Sequence, residues 1–275
     1  YDSSEKAVSS HLKRRGIQAS LSPLNQSANY WRINYKIPKN KPLVSIIIPT
    51  KNHHKILNKC ISSILLRTDY NKYEIIIVDN ETDEDNSVDY LRSLSKYNNI
   101  KIIKCDGDFN FSKLNNNAVK DAKGEILVLL NNDIEVTKDW LTPIIEHFKN
   151  SSKSEAIIQP KILDYKNKSK FEYAGAAGGF IDKYGYPYCR GRIFNSIEED
   201  NNQYNKKDDI FWASGACLFI KSNVFKELNG FDESYFAHME EIDLCWRAQN
   251  SGYTVKYIPD STVFHVGGAT LENSN

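Results

Sequence analysis

A run of five apolar residues, Ile126–Leu130, ends directly in Asn131, Asn132 and Asp133. An unbroken apolar run of this length predicts a strand that is buried on both faces of a parallel sheet. Oxygen donors that follow such a strand lie at the edge where open α/β sheets bind ligands, and they suit Mg²⁺ or Mn²⁺. A polar turn explains the same three residues, because Asn and Asp favour turns. The run alone leaves both interpretations open.

The composition is that of a globular protein without a charge-driven partner. The chain has 275 residues, of which 40% are hydrophobic and 26% charged, and its net charge is +1. This charge gives no argument for a nucleic-acid or membrane partner, and no apolar run approaches the roughly 20 residues that span a bilayer. The five scattered cysteines favour a reducing compartment. We therefore expect a cytoplasmic protein, and leave peripheral attachment to the inner face of the membrane open.

Residues 1–40 differ from the rest and are interpreted as an adaptor or linker. A short basic helix is predicted over 7–16, a polar loop over 20–29 and a half-buried strand over 30–37. The chain begins at Tyr1 rather than Met. We therefore expect a piece of a longer protein with further domains.

From Leu43 onward, short apolar strands alternate with amphipathic helices. Strands are predicted over 43–48, 74–78, 100–103 and 126–130, with helices over 56–66, 88–94 and 112–122, the last closed by Gly124. This order predicts a Rossmann-like parallel sheet with right-handed crossovers. Neither G-x-G-x-x-G nor a Walker A loop follows the first strand, which disfavours a dinucleotide site.

Beyond Asp133 the alternation weakens. A helix is predicted over 139–148, and strands over 156–159, 211–220 and 255–258. A short helix capped by Ser222 and a helix over 240–250 complete the prediction. Residues 164–210 are expected to form loops and hairpins, which often carry specificity.

Four ordered motifs resemble glycosyltransferase family 2. They are Ser45-Ile-Ile-Ile-Pro-Thr50, Val78-Asp79-Asn80, Leu130-Asn-Asn-Asp133 and Met239-Glu-Glu-Ile-Asp-Leu-Cys-Trp-Arg247. The likeness covers roughly residues 41–270 and points to bacterial enzymes of O-antigen and capsular polysaccharide synthesis, including rhamnosyltransferase-like members. It implies an α/β, GT-A fold with a mostly parallel central sheet flanked by helices. The domain would span 41–275, with a nucleotide-binding half at 41–135 and a smaller acceptor-side half at 136–275.

The resemblance also implies a reaction, in which a sugar moves with inversion from a nucleotide diphosphate to a hydroxyl of a glycan or lipid-linked glycan. The leaving diphosphate develops negative charge, which a divalent metal, Mn²⁺ or Mg²⁺, neutralises. The acceptor hydroxyl is a weak nucleophile and needs a carboxylate to take its proton on the opposite face. A base cannot also be the metal ligand, so two separate acidic centres are expected.

By resemblance, the sequence Asn131-Asn-Asp133 occupies the family's D-x-D position, which makes Asp133 the expected metal ligand. His265 matches a late histidine that completes the metal site in some members, and imidazole suits Mn²⁺ better than Mg²⁺. Glu240 and Glu241 match the family's Glu-Asp pair, so Glu241 is the expected base and Glu240 the fallback. The helix dipole explains acidic residues in a first turn as well.

The remaining site residues also come from the resemblance. The expected nucleotide-binding residues are Pro49, Thr50, Asn52, Asp79, Asn116 and Asn132. Those expected beneath the donor sugar and acceptor are Trp212, Ser214 and Gly215. The alternatives are a turn cap for Asp79 and a core position for Trp212. Asp243 and Arg247 stand four apart and predict an ion pair on a helix surface.

Two rival functions stay in view. The departures from the family pattern at Asn131 and Glu241 keep open a catalytically silent domain of a larger synthase that binds a sugar nucleotide or glycan. A nucleotidyltransferase is disfavoured, because no glycine-rich basic loop follows the first strand.

Overall fold

The computed structural model describes residues 2–15, 19–23, 30–35, 41–173 and 175–267. The chain divides into two compact units, Tyr1–Lys41 and Pro42–Asn275. The division falls beside the boundary expected at residue 40, and the role of the first unit as an adaptor stays a prediction.

The first unit contains helix α1 (Asp2–Arg14) and an antiparallel hairpin of β1 (Ala19–Pro23) and β2 (Trp31–Tyr35). Trp31 Nε1 donates to Ser4 Oγ at 3.0 Å and ties the hairpin to the helix. The predicted loop is wrong for residues 20–23, because Leu21 pairs with Ile33 across the hairpin. Residues 16, 24–29 and 36–40 of these predictions lie outside the described residues.

The second unit begins with the predicted alternation of strands and helices. The elements are β3 (Val44–Thr50), α2 (His54–Arg67), β4 (Tyr73–Asp79), α3 (Asp85–Ser93) with a 3₁₀ turn (Leu94–Lys96), β5 (Ile100–Lys104), α4 (Phe111–Asp121) and β6 (Ile126–Leu130). The four strands are parallel, in the order β5-β4-β3-β6. Every residue of β3 and β6 is buried, as central strands of a parallel sheet require.

The second half of this unit extends the same sheet beyond β6. Its elements are β7 (Ile134–Val136), α5 (Thr142–Asn150), β8 (Glu155–Asp164), β9 (Gly179–Ile181), β10 (Pro187–Cys189), β11 (Arg192–Ile193), β12 (Ser196–Ile197), β13 (Asp208–Ile210), β14 (Cys217–Lys221), α6 (Ser222–Glu227), α7 (Glu240–Asn250) and β15 (Thr254–His265). The strand order continues β6-β14-β8-β15-β13, and β7 pairs with β15. Among the described helices, none has the length and apolar character needed to cross a bilayer.

Some predicted boundaries in this half are wrong. The strand predicted from 211 begins only at Cys217, because Ser214–Ala216 forms a turn in which Ser214 N donates to Gln159 Oε1 at 2.8 Å. Helix α5 begins at Thr142 rather than 139, with a proline in its first turn. Strand β15 continues to His265, since an irregularity in its pairing between Ile258 and Thr262 lets the strand pass Pro259.

Gly124 and Ser222 do not act as the predicted caps. Helix α4 ends at Asp121, and the C-cap residue Ala122 is already extended. A Cβ on Gly124 would lie only 2.5 Å from Ser45 N. Gly124 is therefore required for close approach to β3, where its N–H donates to Ser45 Oγ at 2.8 Å. Ser222 is the first residue of α6, and the N-cap position is Lys221.

Candidate active site

The ends of β6 and β15 bring Asp133 and His265 together. His265 lies opposite Ile134 in the antiparallel pairing of β15 with β7, and Val266 N donates to Asp133 O at 3.2 Å. His265 Nε2 lies 3.1 Å from Asp133 Oδ1, and both residues are buried. The two residues expected to hold a metal are thus adjacent at the carboxyl edge of the sheet.

A third buried side chain, Glu172, belongs to the same cluster. Its Oε1 lies 3.2 Å from His265 Nδ1, and its backbone N–H donates to Ile162 O of β8 at 3.1 Å. Glu172 was not among the residues expected from sequence. It lies in the loop-rich segment after β8, where neither periodicity nor a motif gives a signal.

The cluster of one imidazole and two carboxylates binds positive charge. Burial alone lowers the pKa of His265, but Asp133 and Glu172 outweigh burial and raise the pKa to about 10. Asp133 Oδ1 accepts no well-formed hydrogen bond from any residue in the described part of the chain. A buried site of this kind stabilises a cation, either a proton or a metal ion.

Asp133 and His265 together fit a divalent metal whose remaining ligands come from a bound molecule. Metal–oxygen bonds of about 2.1 Å in an octahedral ion place adjacent donors about 3.0 Å apart, close to the 3.1 Å between Asp133 Oδ1 and His265 Nε2. The described ranges contain no group of three or more His, Cys, Asp and Glu side chains placed to hold a metal. The remaining positions would therefore need ligand oxygens, such as those of a diphosphate.

Asn132 and Thr50 join the carboxyl ends of β6 and β3. Asn132 Nδ2 donates to Thr50 Oγ1 at 3.1 Å, and both residues are buried. Pro49 and Thr50 are the last residues of β3, so the strand predicted over 43–48 extends two residues further. The residues lie at the edge predicted to bind a nucleotide, and that role stays a prediction.

Asp79 and Asn52 are held by the loop between β4 and α3. Asp79 Oδ1 accepts from Thr82 N at 3.0 Å, which is the turn cap considered as its alternative. Asn52 Oδ1 accepts from Asp83 N at 3.0 Å and Glu84 N at 3.1 Å. These contacts fix the edge of the sheet, and the nucleotide-binding role of both residues stays a prediction.

Asn116 holds a loop of the second half of the sheet. Its Nδ2 donates to Phe231 O at 2.9 Å and to Glu233 Oε1 at 3.0 Å, and its Oδ1 accepts from Phe231 N at 2.9 Å. Both ends of the amide are thus engaged within the protein. The structure gives Asn116 a role in fixing this loop, and its contact with a nucleotide stays a prediction.

Trp212 is a core residue. Its ring is buried against Gly179, where a Cβ would lie 2.0 Å from the indole, and its Nε1 donates to Phe180 O at 2.8 Å. The structure therefore supports the core position that was given as the alternative for Trp212, and its place beneath a sugar stays a prediction.

The turn Ser214–Ala216 lies near both acidic centres. Ala216 O accepts from Asn131 N at 3.0 Å, which joins the turn to the end of β6. In the same turn, a Cβ placed on Gly215 would lie 3.9 Å from Glu240 Oε1 and from Glu241 Cδ. One short turn is therefore hydrogen-bonded to the Asn-Asn-Asp segment and lies close to the Glu pair.

Glu240 and Glu241 occupy the first turn of α7 in a setting that disfavours their charged forms. Burial first, and then Glu240, raise the pKa of Glu241 to about 7, and burial raises the pKa of Glu240. The Oε2 atoms of both residues are buried without a hydrogen-bond partner in the described ranges. The chain enters the helix through His238 and Met239 at φ of 72° and 74°, a strained entry of the kind found at functional sites.

The family of the chain is decided by its sequence. A model of the family described as Glycosyl transferase family 2 matches residues 45–228. The chain belongs to glycosyltransferase family 2. The match ends before α7, so the assignments of Glu241 and His265 depend on the resemblance of later motifs and on the geometry above.

Known members of the family support the same conclusion. O-antigen biosynthesis protein RfbC of Myxococcus xanthus is 27% identical over 94% of this chain, which spans 20% of RfbC. Rhamnosyltransferase WbbL of Escherichia coli K12 is 25% identical over 81% of this chain and 83% of WbbL. The chain spans less than a third of the two curated relatives that match nearly all of it.

The fold agrees with that of solved glycosyltransferases. GalNAc-T7, whose crystal structure contains UDP, GalNAc and Mn²⁺, matches 90% of this chain and 47% of its own, with a TM-score of 0.65 and 18% identity. The GT-A fold and the resemblance to family 2 are therefore confirmed.

The predicted ion pair of α7 is also present, with Arg247 Nη2 2.7 Å from Asp243 Oδ2.

Proposed function

We propose that this chain is the catalytic domain of an inverting, metal-dependent glycosyltransferase. It moves a sugar from a nucleotide diphosphate to a hydroxyl of a glycan or lipid-linked glycan in bacterial surface polysaccharide synthesis. The names of RfbC and WbbL support this class of product. The short span of RfbC that the chain covers supports a place within a longer protein, which acts on the cytoplasmic side of the membrane.

The observation that carries the proposal is the position of the turn Ser214–Ala216. It contacts Asn131 through a backbone hydrogen bond and approaches Glu240 and Glu241 through Gly215, which has no side chain. A transfer with inversion needs a cation on the leaving-group side and a base on the acceptor side. Two separate acidic centres that both lie near one short turn are consistent with this need.

On the donor side, Asp133 and His265 hold the metal. Mn²⁺ or Mg²⁺, when bound there, neutralises the charge of the leaving diphosphate. The presence of UDP and Mn²⁺ in the GalNAc-T7 structure supports a donor site in this fold that uses a divalent metal. Pro49, Thr50 and Asn132 line the neighbouring strand ends for the nucleotide, together with Asp79 and Asn52.

On the acceptor side, Glu241 takes the proton of the attacking hydroxyl. Its pKa of about 7 makes it a stronger base than an exposed carboxylate while leaving it largely ionised just above neutral pH. Attack from this side displaces the diphosphate on the other, which inverts the anomeric carbon. The negative charge of Glu240 raises this pKa. Glu240 is also the alternative base.

A thermal-shift panel tests the donor site. UDP, TDP, GDP and CDP are each added with and without Mn²⁺ or Mg²⁺, since a ligand at about 100 times its dissociation constant adds about 2.7 kcal/mol of stability. One diphosphate should stabilise the protein in a metal-dependent manner, and Asp133→Ala should abolish the shift. Asp139→Ala, which removes an exposed carboxylate nearby, is the matched control and should keep it.

The outcomes separate the candidate functions. No shift with any diphosphate at millimolar concentration contradicts the proposed donor site. A metal-dependent shift without transfer from the corresponding sugar nucleotide, even to water or to a panel of glycan acceptors, supports the silent binding domain instead.

A further inference from the structure

We propose that Glu172 is a positioning residue, which accepts the Nδ1–H of His265 and so directs the Nε2 lone pair toward the metal beside Asp133. The inference rests on the proposed metal site and extends it to a residue that no motif of the sequence indicates. Glu172 is not itself a metal ligand in this assignment. It affects metal binding only by orienting the imidazole of His265.

The geometry places the imidazole between two buried carboxylates. Asp133 Oδ1 lies 3.1 Å from Nε2, and Glu172 Oε1 lies 3.2 Å from Nδ1. Both are ion-pair contacts, and neither Asp133 Oδ1 nor His265 Nδ1 has a well-formed hydrogen bond in the described ranges. The side chains of His265, Asp133 and Glu172 are only 10%, 3% and 6% exposed. The two ring nitrogens point away from each other, so a carboxylate on Nδ1 is directed away from a cation at Nε2. This explains why the cluster contains three such side chains without forming a three-ligand site.

A neutral imidazole carries a proton on only one nitrogen, and the other nitrogen is the ligand. Without an acceptor at Nδ1, neither tautomer is favoured, and a buried N–H would lose its partner. Glu172 favours the tautomer with the proton on Nδ1, which leaves Nε2 free to bind a metal. Its negative charge also makes Nε2 a more basic ligand.

The backbone around Glu172 is rigid enough for this role. Glu172 N donates to Ile162 O at 3.1 Å, and Phe171 N donates to Glu198 O at 3.1 Å. The Phe171 ring is fully buried and packs on Tyr204 with centroids 5.6 Å apart. A backbone that is held at Phe171 and Glu172 keeps the Glu172 side chain directed at the imidazole.

The chain offers a matched control in a second histidine–carboxylate pair. His147 Nε2 and Glu155 Oε2 are 2.5 Å apart and partly buried. Glu155 is the first residue of β8, whereas the cluster lies at the other end of this strand, near Asp164. Glu155→Gln therefore removes a carboxylate from a histidine contact without touching the proposed site.

Binding of Mn²⁺ alone, followed by the electron paramagnetic resonance signal of the free ion, measures the effect. Glu172→Leu should weaken Mn²⁺ binding 10- to 100-fold, the usual cost of losing such a partner. Glu172→Gln should cost less, because its amide oxygen still accepts from Nδ1–H. Glu155→Gln should bind Mn²⁺ as the parent does. Because Gln is nearly isosteric with Glu, Glu172→Gln still tests the inference if Glu172→Leu does not fold.

A double-mutant cycle separates positioning from general stability. In a His265→Ala background, Glu172→Leu should have no further effect on Mn²⁺ affinity, because the residue acts only through the imidazole. A loss that persists in this background overturns the inference, as does parent-like affinity in both Glu172 variants. Failure of the proposed function looks different: then the parent protein binds no Mn²⁺, or Asp133→Ala binds it unchanged.

Discussion

Glu241 combines three properties at one residue: a place in the first turn of α7, burial of one carboxylate oxygen and a neighbouring carboxylate. A helix N-terminus stabilises negative charge, whereas burial and Glu240 oppose it and prevail, since the pKa rises to about 7. The acidic first turn is therefore not explained by the helix dipole alone. Asp243 is explained by helix geometry, since it forms an ion pair with Arg247.

Replacement of Glu241 by Gln should abolish most turnover. Gln keeps the size of the side chain but cannot take a proton, so we expect kcat to fall about 10²–10⁴-fold with little change in donor affinity. Steady-state kinetics with the donor named by the thermal-shift panel measures this. Asp243→Asn is the control on the same helix and should stay within a fewfold of the parent. If Glu241→Gln also stays within a fewfold, Glu241 is not the base.

The pH dependence of turnover should follow the same carboxylate. Only the ionised form takes a proton, and the raised pKa leaves Glu241 mostly protonated below about pH 7. We therefore expect kcat/KM to rise with pH through about 7 and to level off above it. Since the two carboxylates interact, the midpoint belongs to the pair, and Glu240→Gln should move it to lower pH. A profile that is flat from pH 5 to 8 would contradict this role.

At the scale of elements, strands buried on both faces were the easiest to predict. The limits of β6 were predicted correctly from five apolar residues, and the β-α-β order gave the parallel part of the sheet. The strand predicted from 211 was wrong because apolar residues also fill the loop before β14, where Trp212 packs on Gly179. The strand predicted over 255–258 was too short. Strand β15 continues beyond Pro259 because it pairs with β8 and β7 there, which its own composition does not indicate.

The loop after α6 links the two halves of the sheet through α4. Asn116 bonds Phe231 and Glu233, and Phe111 N donates to Phe236 O at 3.2 Å. This loop leads directly into His238, Met239 and the first turn of α7. Its attachment therefore positions the Glu pair relative to the nucleotide-binding half.

Asn116→Ala should loosen this attachment. We expect a loss of about 1–2 kcal/mol in the free energy of unfolding, because backbone groups of Phe231 lose their partners. We also expect a lower kcat with unchanged nucleotide affinity. Urea unfolding, kinetics and nucleotide titration measure the three quantities, with the neighbouring Asn117→Ala as control. A weaker nucleotide affinity at unchanged kcat would instead support the direct contact predicted from sequence.

At the scale of the whole molecule, the sequence pointed to a candidate site but not to every residue that the structure places there. Asp133 and His265 were expected by resemblance, and the topology places them side by side. Glu172 was missed because its significance arises only when β8 and β15 run parallel and bring their ends together. The core position of Trp212 could not be decided from the sequence, since a motif does not tell whether a ring faces a ligand or the core.

The division of the chain predicts where donor binding resides. All candidate site residues and the whole nine-stranded sheet lie within Pro42–Asn275. A protein that comprises residues 42–275 should therefore fold cooperatively and keep the metal-dependent shift with its diphosphate. The shift should disappear in the Asp133→Ala version of the same protein. The measurement is the thermal-shift panel, run on both lengths of chain. Loss of the shift in a cooperatively folded 42–275 protein would mean that residues 1–41 contribute to donor binding, against their interpretation as an adaptor.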